Sequence, residues 1–154
     1  MKKLKIFEGI GEINESVLQS AIRQRYYVQF YYSRDDDGVL PGPRFVEPYC
    51  YGYSVVNGEV RYYLRAWMVA STDKEDNLRG KLKIRSVSKS GKRGRREWSA
   101  ESGWRLYRLD SMSNMYVHRR KFSYYRKGYN GTTDVAMSTI IEQIPKSEFK
   151  GEKR

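Results

Sequence analysis

The sequence has very few of the residues that build disulfides and metal sites. Its 154 residues include a single cysteine, Cys50, and a single histidine, His118. One cysteine excludes an internal disulfide framework, which suits a reducing compartment such as the cytoplasm. A zinc centre needs several Cys and His ligands at close spacing, so the sequence predicts neither a metal nor a cofactor.

Long apolar segments are also missing. No run approaches the roughly 20 residues that a transmembrane helix needs. The lysines near the N terminus are not followed by the apolar stretch of a secretory signal. With 39% apolar residues, the chain is long enough to bury a core of its own. We therefore expect one cytoplasmic domain that is not embedded in a membrane.

Positive charge is abundant, and it is concentrated in the second half of the chain. Residues 1–77 carry 10 Lys/Arg and 11 Asp/Glu, whereas residues 78–154 carry 20 Lys/Arg and 7 Asp/Glu, for a net charge of +12 overall. Such a field attracts polyanions, either nucleic acid or an anionic surface. The same charge can also serve solubility alone, so composition leaves these readings open.

The hydrophobic pattern predicts a helix followed by strands. Residues 14–25 have helical periodicity, with Asn14 or Ser16 as the N-cap. Strands are predicted at 26–32, 44–56, 59–70, 81–87, 104–110 and 115–122. Asn57 and Gly58 lie between two of these strands and predict a two-residue hairpin, because both tolerate positive φ. Residues 33–43, 111–114 and 124–132 are predicted to be loops or turns.

A second helix is predicted near the C terminus, at residues 134–144. Pro145 ends it, and its inward face consists of Val135, Ala136, Ile140, Ile141 and Ile144. The predicted fold is mainly β (α+β): a small Sm/SH3-like antiparallel barrel with an N-terminal helix and a C-terminal helical extension. Its parts are an arm (1–13), a barrel domain (14–122) with a basic insert (81–97), and an extension (123–154) with a mobile tail.

Three stretches of the chain resemble the signature stretches of the WYL domain family. They read RFVEP at 44–48, RYYLRA at 61–66 and RLYRLDSM at 105–112. Tyr62 stands where the family has tryptophan, and Ser111 replaces the second arginine of the third stretch. The resemblance implies an Sm-like barrel that binds single-stranded nucleic acid or nucleotides. Members of the family often follow a helix-turn-helix domain, but only 25 residues precede the first predicted strand here, so a free-standing module is expected. Members of the family regulate transcription in bacteria or accompany defence systems, and they also occur in phage.

The second stretch carries the predicted binding surface. By the period of two in a strand, Tyr62, Leu64, Ala66 and Met68 face the core, and Arg61, Tyr63, Arg65 and Trp67 face outward. Alternating guanidinium groups and rings suits the phosphates and bases of a single strand. An ordinary cross-strand ladder with arginine stems over rings is the alternative.

The resemblance adds Arg44, Arg105, Tyr107 and Arg108 to this ligand surface. The period of two nevertheless places Arg105 and Arg108 on opposite faces, unless the strand bulges. For Arg44, the alternative is a salt bridge to Glu47 or Asp110.

The basic insert is predicted to contact phosphates through Lys89, Lys92, Arg93, Arg95 and Arg96. Arg119 and Arg120 would extend this surface. The insert also fits a solvated loop, and Arg119 and Arg120 also fit a charged strand edge.

No catalytic motif is present, so a non-enzymatic function is expected. The chain lacks a phosphate-binding Gly-Lys-Ser/Thr loop and a recognisable pair of carboxylates. The expected function is regulatory or sensory binding of single-stranded DNA, RNA or a nucleotide. The alternative is a protein-interaction regulator, from a phage or a defence system, that docks on an acidic partner protein. A homodimer is compatible with either reading.

Overall fold

The computed structural model describes residues 13–69 and 102–154. Helix α1 spans Glu15–Gln24, and two 3-10 turns occupy Leu109–Ser111 and Lys146–Glu148. The strands are β1 (Tyr26–Tyr32), β2 (Gly42–Val56), β3 (Glu59–Met68), β4 (Gly103–Arg108), β5 (Met112–Lys121), β6 (Tyr124–Tyr125), β7 (Thr139–Gln143) and β8 (Gly151–Glu152). These parts of the chain are mainly β with an N-terminal helix, as the sequence predicts.

Local signals define both ends of α1. The Asn14 side chain accepts a hydrogen bond from the Val17 N–H at 3.1 Å, so Asn14, and not Ser16, is the N-cap. Arg25 adopts a left-handed conformation (φ 62°) that ends the helix. The buried face of α1 consists of Leu18, Ala21 and Ile22, so the predicted helix is confirmed.

The main sheet is antiparallel, with the strand order β4-β3-β2-β1-β5. Strand β2 is long enough to have two neighbours on one side: β1 pairs with its first half and β7 with its second. A register shift between Pro48 and Cys50 separates the halves, where proline cannot donate a ladder hydrogen bond. The described strands form an open sheet, so the predicted closure into a barrel is not shown.

The hairpin predicted at Asn57 and Gly58 is confirmed. Both residues have positive φ, at 51° and 80°. Val56 pairs directly with Glu59, which leaves a two-residue turn between β2 and β3. This register fixes which side chains of β3 face outward.

The second predicted helix is wrong. Residues 139–143 instead form β7, which pairs with β2 from Cys50 to Tyr53. Val135 is fully exposed and Ile141 is exposed, whereas Ile144 is buried. Pairing with β2 satisfies the backbone and suits the β-branched Thr139, Ile140 and Ile141, so tertiary context overrides the helical period.

A further prediction, at the start of a strand, is also wrong. A turn was expected at 111–114, but β5 already begins at Met112 and accommodates Asn114 at a φ of 51°. In the C-terminal tail, for which mobility was expected, Gly151–Glu152 pairs in parallel with Tyr124–Tyr125. The burial of Phe149 anchors this end of the chain.

The core joins the strands to the C-terminal segment through aromatic rings. Tyr49 is completely buried, and its ring centroid lies 4.7 Å from Tyr129, 4.8 Å from Trp104, 5.3 Å from Phe122 and 5.9 Å from Phe149. Residues beyond 122 therefore pack into the same core as the sheet. The predicted arm (except Ile13), the strand at 81–87 and the basic insert lie outside the described residues.

Candidate ligand-binding groove

Strands β3 and β4 place side chains from the second and third signature-like stretches side by side. Tyr63 pairs with Arg108, and Trp67 pairs with Trp104, on the outer face. Leu64, Ala66 and Met68 are buried on the other face, as predicted. Tyr62 is an exception to the predicted core, because it lies at the exposed end of the hairpin, 37% exposed.

An open groove of about 540 Å³ runs along these two strands. Its lining combines cations, rings and two carboxylates: Arg34, Asp36, Asp37, Arg61, Tyr63, Arg65, Trp104, Arg105, Leu106 and Arg108. Arg105 and Arg108, which the strand period places on opposite faces, thus both reach the same groove. The structure therefore gathers most of the predicted ligand residues in one place.

Several of the groove arginines have carboxylate partners, which differ in burial. Arg65 holds Asp134 through two hydrogen bonds of 2.8 and 3.0 Å, and the Asp134 side chain is only 8% exposed. Arg108 binds Asp110 at 2.8 Å, but the Asp110 side chain is 61% exposed. Arg61 forms no ion pair within residues 13–69 and 102–154.

The Arg108–Asp110 pair is a contact that an anionic ligand can replace. Partial burial opposes ionisation of Asp110, but the hydrogen bond and the charge of Arg108 outweigh it, so the pKa of Asp110 is lowered. Asp110 is therefore ionised at neutral pH and neutralises Arg108. An ion pair this exposed contributes little stability, about 0–1 kcal/mol, so a phosphate can take the place of the carboxylate at low cost.

Trp67 was predicted to face a ligand, but other side chains pack against it. The Arg126 guanidinium lies over its ring, 5.0 Å from the centroid, and Trp104 packs edge-on at 5.4 Å. Glu47, which is buried, holds Arg126 with hydrogen bonds of 2.9 and 2.6 Å. Trp67 is thus a half-buried packing residue, and Trp104 is the tryptophan that lines the groove.

Arg44 and Tyr107, which the resemblance places on the ligand surface, are buried. The Arg44 side chain is 1% exposed and donates to Asp37 at 2.7 and 2.9 Å. The alternative of a salt bridge is therefore correct, but with a different partner from Glu47 or Asp110. Tyr107 is completely buried, and burial raises the pKa of its phenol well above the ordinary value.

The other predicted phosphate contacts lie elsewhere. Arg119 and Arg120 are exposed on β5, at the other end of the strand order from β4. The Arg119 guanidinium lies 5.8 Å from the centre of the Tyr26 ring. Lys89, Lys92, Arg93, Arg95 and Arg96 lie outside the described residues.

Two residues at the groove, Trp104 and Asp134, were missed by the sequence predictions. Trp104 alternates with Leu106 and Arg108 along β4, so extending the strand period by one step would have found it. Asp134 has no such signal, because it meets Arg65 across 69 positions in the sequence. The expected helix at 134–144 also obscured it.

Comparisons with protein-family models, curated proteins and solved structures find no match to this chain. Within the described ranges, no three His, Cys, Asp or Glu side chains come together as a candidate metal site. None of the helices in these ranges is both long and apolar enough to cross a membrane. The geometry of the groove is therefore the basis for inferring a function.

Proposed function

We propose that the chain is a non-enzymatic, regulatory or sensory binding module whose β3–β4 groove takes single-stranded nucleic acid or a nucleotide. The observation that carries the proposal is the convergence of Arg61, Arg105 and Arg108 with Tyr63 and Trp104 on one open groove. Planar guanidinium groups bind phosphate oxygens in pairs. Aromatic rings beside them offer stacking surfaces for bases, whatever the base sequence.

The resemblance to the WYL domain supports the same conclusion. The stretch at 61–66 lies on β3, and the stretch at 105–112 begins on β4. These two stretches contribute Arg61, Tyr63, Arg65, Arg105 and Arg108 to the groove, whereas the first stretch does not line it. Under the same proposal, the chain is a member of the WYL family, its sheet closes into an Sm-like barrel and the protein is cytoplasmic. Its role would be that of a bacterial or phage regulator or of a defence-system accessory.

Five arginines line the groove against two carboxylates, Asp36 and Asp37, so its charge is suited to a polyanion even though some of the arginines are paired. Arg61 has no carboxylate partner among the described residues, and Arg108 can exchange Asp110 for phosphate. The basic insert, with Lys89, Lys92, Arg93, Arg95 and Arg96, would add attraction that depends on phosphates and not on bases. Binding should therefore weaken with salt, with a slope of log K against log salt of about −0.7 per phosphate contact for a single strand.

A fluorescence anisotropy panel tests this function. Labelled single-stranded DNA, single-stranded RNA and duplex are titrated over a salt series with the wild-type chain and with R61A/R108A. One hydrogen bond between charged groups contributes about 1.5–3 kcal/mol, so the double substitution should weaken single-strand binding by about tenfold or more. The matched control is R119A/R120A, which removes the same charge from β5.

Two results would contradict the proposal. Equal losses in R61A/R108A and R119A/R120A would show attraction to the overall charge and not binding in the groove. Failure of the wild-type chain to bind any oligonucleotide near physiological salt, together with co-purification of one acidic protein, would favour the protein-interaction alternative. Circular dichroism on each variant establishes that the fold is retained.

A further inference from the structure

A second, smaller pocket opens beside the groove and is not used by the proposed phosphate contacts. Its volume is about 230 Å³. It lies between β4 and the segment that follows β6, and its walls include Trp104, Gly128, Asn130, Thr133, Val135 and Gln143. Arg65 and Trp104 line both the pocket and the groove, so the two spaces adjoin.

The outer wall of the pocket is an irregular segment held in one conformation. The Asn130 side-chain oxygen accepts hydrogen bonds from the backbone N–H groups of Thr132 and Thr133, at 2.6 and 2.9 Å. Asp134 is fixed by its two hydrogen bonds from Arg65. A ligand that enters therefore does not have to order this wall, which favours binding.

The inner wall of the pocket is the indole of Trp104, held on two sides. Its N–H donates to the Lys127 carbonyl at 2.8 Å, and Tyr129 lies nearly parallel to it, with ring centroids 6.0 Å apart. Gly128 has a φ of 98°, and a Cβ there would lie only 3.1 Å from the indole nitrogen. The backbone thus lies against the indole edge and keeps the ring from turning.

The chemistry of the walls suits a flat heteroaromatic ring. Trp104 supplies an aromatic wall, and polar side chains, among them Thr133 and Gln143, line other parts of the pocket. Val135 lines the same pocket and is a fully exposed apolar side chain. A cavity of about 150 Å³ accepts benzene, so 230 Å³ is sufficient for a single-ring base.

We propose that this pocket takes one nucleobase of the ligand whose phosphates lie in the groove. This inference rests on the proposed function, and it adds a base-binding subsite to a surface that otherwise recognises only charge and stacking. The shared residues Arg65 and Trp104 give the geometric reason, because a nucleotide has its base next to its phosphate.

The test uses trinucleotides that carry an abasic position at the first, second or third place, compared with the intact trinucleotide. In the wild-type chain, one abasic position should weaken binding about fivefold or more, the lower end for a stacked base. In V135W, a large side chain at the rim narrows the mouth of the pocket, so this difference should disappear. The matched control is V55W, at another exposed valine (59%), which should retain the difference.

The failure of the subsite and the failure of the proposed function give different results. If trinucleotides bind but every abasic form binds as tightly as the intact one, the pocket takes no base and only the subsite is refuted. The subsite is equally refuted if V135W keeps the wild-type difference, because the base is then held elsewhere. If the wild-type chain binds no trinucleotide and no longer single strand, both inferences fail.

Discussion

Replacing Arg44 by methionine should strongly lower the free energy of unfolding, because Arg44 is a buried structural residue and not a ligand contact. The side chains of Arg44 and Asp37 are 1% and 0% exposed. Arg44 also donates to the backbone carbonyls of Val39 and Leu40, each at 3.0 Å. Arg44→Met therefore leaves a buried carboxylate and several carbonyl groups without their donor.

The expected loss follows from this burial. Removing one partner of a buried ion pair costs about 3–5 kcal/mol, which is a large share of the roughly 5–15 kcal/mol that a domain has in total. The same loop contains a control pair, Arg34 and Asp36, whose side chains are 41% and 39% exposed. Arg34→Met should cost only about 0–1 kcal/mol.

Urea denaturation followed by circular dichroism measures both losses. A third variant, Arg44→Lys, retains the charge but not the planar fork that reaches both Asp37 oxygens, so it should fall between the wild type and Arg44→Met. If Arg44→Met and Arg34→Met cost the same, within about 0.5 kcal/mol, the buried pair does not hold this loop. A loss of oligonucleotide binding in folded Arg44→Met, with stability unchanged, would restore Arg44 as a ligand contact.

Three further predictions concern residues of β2. A Cβ on Gly52 would lie 2.2 Å from the Thr139 carbonyl oxygen, so Gly52→Ala should detach β7 and speed amide exchange at 139–143. Gly58→Ala strains the turn, where φ is 80°, but its Cβ meets nothing within 4 Å, so it should leave exchange at 139–143 unchanged. Burial raises the pKa of Cys50 from 9.0 to about 12, so iodoacetamide at pH 8 should label it far faster in urea than in the native state; equal rates would contradict this. The raised pKa of Cys50 favours the native state below about pH 9, and this contribution to the free energy of unfolding is lost as the pH rises towards 12. The free energy of unfolding of Cys50→Ala should therefore fall less steeply between pH 9 and pH 12 than that of the wild type.

The parts of the fold that the sequence predicts are those with local signals. Helix α1 has an N-cap at Asn14 and an apolar face within ten residues. The hairpin depends on Asn57 and Gly58 alone. Strand β7 has no local signal that outweighs its helical spacing, because its partner, β2, lies more than 80 positions earlier in the chain.

In the candidate site, too, the residues that could be predicted are those with a local sequence signal. Arg61, Tyr63 and Arg65 were found because a strand period assigns them to one face. The state of Trp67 depends on Arg126, which is distant in sequence and is itself held by Glu47. The period of two in a strand shows on which face a side chain lies, but it does not show which other segment packs against that face.

Under the proposed function, the C-terminal segment determines which ligands the groove discriminates. The WYL resemblance ends before this segment, yet Asp134 fixes Arg65, and Tyr129 supports the Trp104 indole. Strands β3 and β4 supply cations and rings, which under the proposed function attract any single strand. Since the segment that follows β6 adds a preformed pocket to that surface, discrimination between ligands should depend on it more than on the strands.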